Sequence, residues 1–475
     1  MNDDIEILDI FDNDKKKEEI KPTTRIPKNF LEDDEPKVKN NFNNKKGKKK
    51  KLKPKAKLWQ IIFCGVSFLF ILGCIIYYGS RFIKYYRIYN PKVDTTDGSV
   101  LLAKDISGNS EIVYEGAGLY ISSGNYIYKG NVKNNYLKYN NLLWRIIKVN
   151  VDNTIEIVLD DYINIMPWNK EVTSFKNSEI HQYLNNDFLN NLDKDMLVTN
   201  SFCEDEVSDL SNIKCEKVNN ESYVKLLDIT GFLNSVKNKE TYLTSSDEIF
   251  WLSDNNENKI WHTNGSNVSQ SDANTFYEVR PVVKLKNTVT YTSGDGTKDN
   301  PYVVGKEDKL KLGSTVILGE DKWIVYDINE NVKLMRAEVL DKQLSFDKNK
   351  LTYDDKSEGS LAEYLNTTYL ESLSYKDMIV NSTWYVGGYK DKVSDVKNET
   401  IKTKVGIPNI LDIKFNSSIK GYFTSTSNDE HIYVYENPLR PSKPTTYRSI
   451  RPCIAITKSD ANKLKYVDGV FKVEG

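Results

Sequence analysis

Histidine is nearly absent from this chain: three in 475 residues, at His181, His262 and His431. None has a second histidine at metal-ligand spacing, and none lies beside a cysteine, so His-based metal motifs are excluded. There is no phosphate loop, no HExxH helix and no nucleophile elbow. No catalytic residue, metal ligand or cofactor is therefore assigned. Paired carboxylates decide nothing, because 28% of the chain is charged. Cysteine is also sparse, five in all. Net charge is only −1, with no overall excess of either sign.

Charge and apolar residues are, however, unevenly placed. Met1 to Glu35 carries 12 acids against 6 bases, and Pro36 to Lys57 carries 11 bases and no acid. Next comes the one long apolar run, LWQIIFCGVSFLFILGCIIYY, 21 uncharged residues from Leu58 to Tyr78. As a helix it spans about 31 Å, the thickness of a bilayer core. Trp59, Tyr77 and Tyr78 fall at interfacial positions. Only Arg81, Lys84 and Arg87 follow closely. The positive-inside rule then puts residues 1–57 in the cytoplasm and the larger part outside the cell. A cleaved signal peptide fits poorly, because 57 polar residues precede the run.

The tail 1–57 reads as disordered. Its lysine run, Lys45 to Lys57, suits anionic lipid headgroups; nucleic acid is the weaker reading for a segment tethered at a membrane. The acidic-apolar IEILDIF is either a docking motif for a cytoplasmic partner or a solvated tail.

Beyond the span the chain repeats itself. IHQYLNNDFLNNL from Ile180 and LAEYLNTTYLESL from Leu361 share apolar offsets 0, 3, 4, 8 and 12, one helix face, and both contain Tyr-Leu-Asn. Trp144 is echoed by Trp323, Asp195-Met by Asp377-Met, VKLLDI at Val224 by VGIPNI at Val405, and YLTSS at Tyr242 by YFTST at Tyr422. These pairs are 179 to 182 residues apart, whereas VRPVVKL and IRPCIAI put Arg280 and Arg451 only 171 apart. The reading places about ten extra residues of the first copy in or beside FWLSDNNENKIWHTNGSNVSQ. Each Arg-Pro pair reads as a strand start, since proline removes a ladder donor. The arginine reads as an anchoring cation or, alternatively, as a ligand-facing one.

The expected fold class is α+β. A single transmembrane helix precedes two tandem, mainly antiparallel β domains, each with one amphipathic helix. The expected bounds are 1–57 tail, 58–78 span, 79–115 linker, 116–308 first domain and 309–475 second domain. DGTKDN near Asp295 reads as a hairpin turn rather than a calcium loop, because an EF-hand needs more ligands at fixed spacing. Cys203 and Cys215 bracket CEDEVSDLSNIKC; a disulfide and two free thiols both remain open. Cys453 reads as buried.

GAGLYISSGNYIYKGNVKNNYLKYNNLLWRIIKVNVDNTIEIVLDD, then YLNNDFL, WHTNGSNVS, VRPVVKLKN and SGDGTKDNPYVV, resemble a group of uncharacterised extracellular proteins of low-GC Gram-positive bacteria. Some of these carry a single N-terminal membrane segment. The resemblance covers residues 115–305 and implies location and domain limits, with no catalytic residues. The order of hairpin, helix, Trp-rich loop and late Arg strand also resembles the C-type-lectin-like fold, including its formylglycine-generating branch. That branch uses closely placed cysteines, whereas Cys453 has no neighbouring partner.

The candidate ligand-binding set is Trp251, Trp261, His262, Asn264 and Arg280. Aromatic faces stack on apolar surfaces of sugars or peptides while amides bond hydroxyls; the competing reading buries both tryptophans. Three functions are carried forward: non-catalytic recognition or scaffolding at the cell surface, with wall polymer, surface glycan or protein as partner; an envelope-assembly factor recruiting a cytoplasmic partner through its tail; and an enzyme of unrecognised type.

Overall fold

The computed structural model describes residues 54–89, 98–244, 248–305, 309–412, 419–436 and 439–473. Most of the lysine run expected on lipid, together with IEILDIF, lies outside the described residues. The chain divides into two units, Met1–Arg87 and Ile88–Gly475.

The first unit contributes one helix, Pro54–Tyr89, of 36 residues. Its stretch Gly65–Ile83 has a mean hydropathy of 1.7 and is long and apolar enough to cross a membrane. Phe63, Phe68, Phe70 and Ile76 are all exposed, as suits a helix apolar on every side.

The second unit is mixed α+β, mostly sheet with few helices. Two large sheets dominate it, and their strand order repeats. The first runs Thr290–Tyr291, Tyr302–Val304, Tyr136–Tyr139, Leu142–Val149, Ile155–Leu159, Val282–Leu285, Val224–Lys225. The second runs Lys465–Val467, Val470–Lys472, Thr315–Leu318, Asp321–Asp327, Val332–Arg336, Cys453–Ile456, Val405–Gly406. Each contains one parallel pair at the same place: Tyr302–Val304 beside Tyr136–Tyr139, and Val470–Lys472 beside Thr315–Leu318. Tight hairpins punctuate both. Asn140 and Asn141 have φ of 53° and 60°, and Asp468 and Gly469 have 53° and 83°, the left-handed pairs a two-residue hairpin needs.

The Tyr-Leu-Asn echo has a structural cause. The expected helices are not uniform: α-turns Glu179–Gln182 and Leu361–Tyr364 give way to π-turns Tyr183–Phe188 and Leu365–Tyr369. In each π-turn the asparagine leaves the helix to clamp a sheet edge. Asn185 Nδ2 donates to His181 O (3.1 Å) and Val224 O (2.9 Å), and its Oδ1 accepts from Val224 N (3.1 Å). Asn366 repeats this with Ala362 O (3.0 Å), Val405 O (2.8 Å) and Val405 N (2.9 Å).

The Arg-Pro pairs are likewise architectural. Pro281 and Pro452 immediately precede Val282–Leu285 and Cys453–Ile456. Arg280 donates from Nε to Leu159 O (3.0 Å), and Arg451 from Nε to Arg336 O (2.8 Å). Both carbonyls end the neighbouring strand.

Two boundaries differ from the sequence reading. Val100–Leu101 joins the first sheet, and Leu102, Ala103 and Ile106 of helix Leu102–Asn109 are buried; the linker expected through 115 is partly core. The extra residues of the first half also lie elsewhere. Phe250 bridges Glu278 as Tyr422 bridges Ser449, so Tyr422 corresponds to Phe250 and not to Tyr242. The additional length falls between Val224–Lys225 and Trp251, around helix Ile229–Ser235.

Candidate functional site

The Trp-rich segment folds into a three-stranded sheet, Trp251–Asn255, Ile260–Asn264 and Asn267–Ser271. All five residues of its first strand are buried. Trp251 lies against Trp168 and Tyr277, with Nε1 donating to Met166 O at 2.9 Å. Trp261 is 4% exposed, and its Nε1 donates to Val207 O at 2.9 Å. His262 is buried between Thr263 O and Ser271 Oγ, and burial lowers its pKa. Arg280 is 3% exposed and ends on backbone carbonyls of Leu159, Asp160 and Leu243. The aromatic platform expected from Trp251, Trp261, His262 and Arg280 is thus core, because each ring N–H and the guanidinium is satisfied by backbone inside the fold. Of that set only Asn264, at a hairpin tip, is exposed.

Cys203 and Cys215 form a disulfide, with Cα atoms 5.7 Å apart. Asp205 accepts from Glu216 N and Lys217 N across the loop it closes. Cys203, Asp205 and Cys215 lie close enough to hold a cation, but the sulfurs are bonded to each other. Asp295 bonds Thr297 N and Oγ1 in an ordinary turn.

This disulfide loop walls a cleft of about 320 Å³ in the first half. Trp261 supports that wall through Val207 O, and Val207 N donates to Asn255 O at 2.8 Å. Phe202, Val207, Ile213 and Leu227 give the cleft apolar sides, and Lys148, Glu156, Lys225, Asp228 and Asp254 form its charged floor. Sequence reading missed these five because they come from separate elements. The strands Leu142–Val149, Ile155–Leu159 and Val224–Lys225 bring the first three together; the other two come from the residue before helix Ile229–Ser235 and from strand Trp251–Asn255.

Lys148 Nζ lies 3.0 Å from Glu156 Oε1, and Lys225 Nζ lies 3.8 Å from Glu156 Oε2 and 3.3 Å from Asp228 Oδ2. Burial by itself would raise the Glu156 pKa, but Lys225, Lys148 and Lys284 outweigh it and hold it at about 2. Burial opposes the charge on Lys225, yet Asp228 and Glu156 keep its pKa raised. Asp228 Oδ1 caps the helix through Gly231 N (2.6 Å). Asp254 Oδ2 accepts Ile229 N at 2.7 Å. Burial first, then the Asp228 charge, push the Asp254 carboxyl well above the usual carboxylate range.

No protein-family model, curated protein or solved structure matches the chain. The second half therefore supplies the comparison.

Lys148 pairs with Glu156 across the strands as Asp327 pairs with Lys333, so the ion pair is kept with its polarity reversed. Lys225 sits opposite Val282 as Gly406 sits opposite Cys453. Lys284 corresponds to Ala455. Ile229 N bonds Asp254 as Ile410 N bonds Thr426 Oγ1, at 3.2 Å. The second half also fills the space: a Cβ on Gly406 would come within 2.5 Å of the Trp384 ring, which is 3% exposed beside Tyr326, Met335, Cys453 and Ala455. The same strand order thus carries an open charged cleft once and a plugged, largely apolar one once.

Proposed function

We propose that this chain is a single-pass membrane protein whose exterior part is a non-catalytic recognition module, with the first-half cleft as its binding site. The helix crosses the bilayer once, Lys45 to Lys57 lie on anionic cytoplasmic lipid, and the two halves are tandem domains at the cell surface. The first half is read as kin to the uncharacterised surface proteins of Gram-positive bacteria named above, with a lectin-like arrangement. Wall polymer is the expected partner.

One observation carries the recognition reading. Desolvating charges costs several kcal/mol per ion, and a well-packed apolar cluster serves stability as well or better. The second half shows that this strand order closes without the charges of Lys225 and Asp254. Retaining them around an open space in the first half is explained by something that enters it.

Asn234 is half-buried on the helix at the cleft. In full-length protein in detergent, Asn234→Trp should occlude the cleft and abolish retention on isolated wall polymer, with the melting temperature nearly unchanged. Equal retention by the variant and the parent would remove the basis for the reading. Protease added to intact cells should remove epitopes beyond residue 98 and spare residues 1–57. Recovery of the intact chain as a soluble cytosolic species would overturn the membrane topology.

A further inference from the structure

Asp254 offers more acceptor capacity than the fold uses. It is 5% exposed and lines the cleft. Its Oδ2 takes Ile229 N, and its Oδ1 has no hydrogen-bond partner among the described residues. The neighbouring acids differ. Asp228 uses Oδ1 on Gly231 N and Oδ2 on Lys225, and Glu156 meets Lys148 and Lys225 with its two oxygens. The nearby cations are thus already paired with other carboxylates. Lys284, half-buried on the next strand, stands opposite Glu156, and Lys214 is exposed at the rim.

The second half shows what the structural role of this position requires. Thr426 accepts Ile410 N with a neutral hydroxyl, so holding that amide needs no negative charge. A carboxylate nine-tenths buried, facing a cleft and lacking a cation at its second oxygen, is unfavourable until a positive group arrives. The walls indicate what that group is carried on. Phe202, Val207, Ile213 and Leu227 suit an aliphatic stem better than a hydroxylated ring.

We propose that the first-half cleft binds a primary ammonium on an aliphatic stem, as in a lysine-type side chain of a peptide, with Asp254 Oδ1 as its counter-ion. This rests on the recognition reading and gives it a ligand chemistry. Asp254 must be ionised to serve, and burial together with Asp228 resists ionisation. Binding therefore releases a proton, and affinity rises with pH. Lys225 lowers the cost of ionisation, while Glu156 and Lys148 balance each other across the floor.

The test uses full-length protein in detergent with two probes, Nα-acetyl-lysine methylamide and its norleucine counterpart, read by calorimetry. The lysine probe should bind saturably near about pH 8 and weaken roughly tenfold or more near about pH 5.5. The norleucine probe should be weaker by a similar factor, as should lysine-probe binding to Asp254→Asn and Asp254→Thr. Asp254→Thr copies the second half's own solution, so it guards against mere misfolding. Equal binding of the two probes, no binding of either, or unchanged affinity in both variants overturns the ammonium proposal. If the proposal fails while Asn234→Trp still abolishes wall-polymer retention, the recognition reading stands without it. If neither ligand responds to Asn234→Trp, both fall.

Discussion

Asp254 and Thr426 hold equivalent amides, and the difference between them is a difference in how stability depends on pH. The folded Asp254 titrates at about 7, above its unfolded value of about 3.9. The native state therefore holds the extra proton, and stability falls as pH rises from about 4 through about 7. An amide has no such dependence. Asp254→Asn should gain on the parent near about pH 8, by on the order of 4 kcal/mol of unfolding free energy, and match it near about pH 4. A gap of equal size at both pH values would contradict the assignment. Buried Glu278, pushed up to about 8 chiefly by desolvation, acts in the same direction but is common to both proteins and cancels. Glu156 has the opposite sign: its contribution is present above about pH 4.5 and lost as pH falls through about 2. Lys225→Met leaves Glu156 and Asp228 short of their shared cation and should cost about 3–5 kcal/mol in denaturant titration. None of the five charged cleft residues, Lys148, Glu156, Lys225, Asp228 and Asp254, stood out in the sequence, since charged residues are common and only the fold brings these together. The tryptophans misled for the same reason. Asn, Asp and Ser around Trp251 and Trp261 look like surface chemistry, but satisfied indole N–H groups and burial on both strand faces depend on partners 54 to 85 residues away.

At the scale of elements, the asparagine clamp ties a helix to a sheet edge. Asn185→Ala removes three hydrogen bonds and leaves the Val224 N–H and C=O unmet. Asn366→Ala removes four, counting the one from Thr403 Oγ1, and leaves Val405 N–H unmet while Tyr353 Oη still meets Val405 O. Each is a loss of about 2–4 kcal/mol. Amide exchange at Val224 or Val405 should quicken in the matching variant; if those amides stay protected, the clamp is not what holds the edge. Replacing Cys203 and Cys215 by serine frees a loop with a sequence separation of 12 and should cost about 3 kcal/mol, with looser binding in the cleft it walls. The amphipathic stripe at Ile180 and Leu361 was legible because burial imposes a helical period. The π-turn was not, since it arises from a bond to a distant strand. Likewise the YLTSS and YFTST echo aligned by string similarity, whereas the bridges Phe250 to Glu278 and Tyr422 to Ser449 set the true correspondence.

At the scale of the second unit, the halves interlock. Glu179 accepts Val393 N (2.6 Å) and Ser394 N (3.4 Å), and Asn164 Nδ2 donates to Ile410 O (2.8 Å). Val393, Val396, Ile410 and Leu411 enter the core of the first half. The exposed pair Lys170–Asp391 adds little. Calorimetry of the full chain should show one transition for the second unit, and Glu179→Ala combined with Asn164→Ala should split it in two. A single transition in that variant would mean the seam is not what couples them. The repeated strand order was readable from ordered markers, but the seam was not: Glu179 and Ile410 sit in repeated segments, and only the fold brings them to Val393 and Asn164.

The parallel pair within each sheet has a mechanical meaning. Thr315–Leu318 and Val470–Lys472 are early and late strands of the second half, side by side and pointing the same way. Tension drawing one backward and the other forward strains their connecting bonds together, in shear, instead of unzipping them singly. Under such a load this edge resists as a clasp.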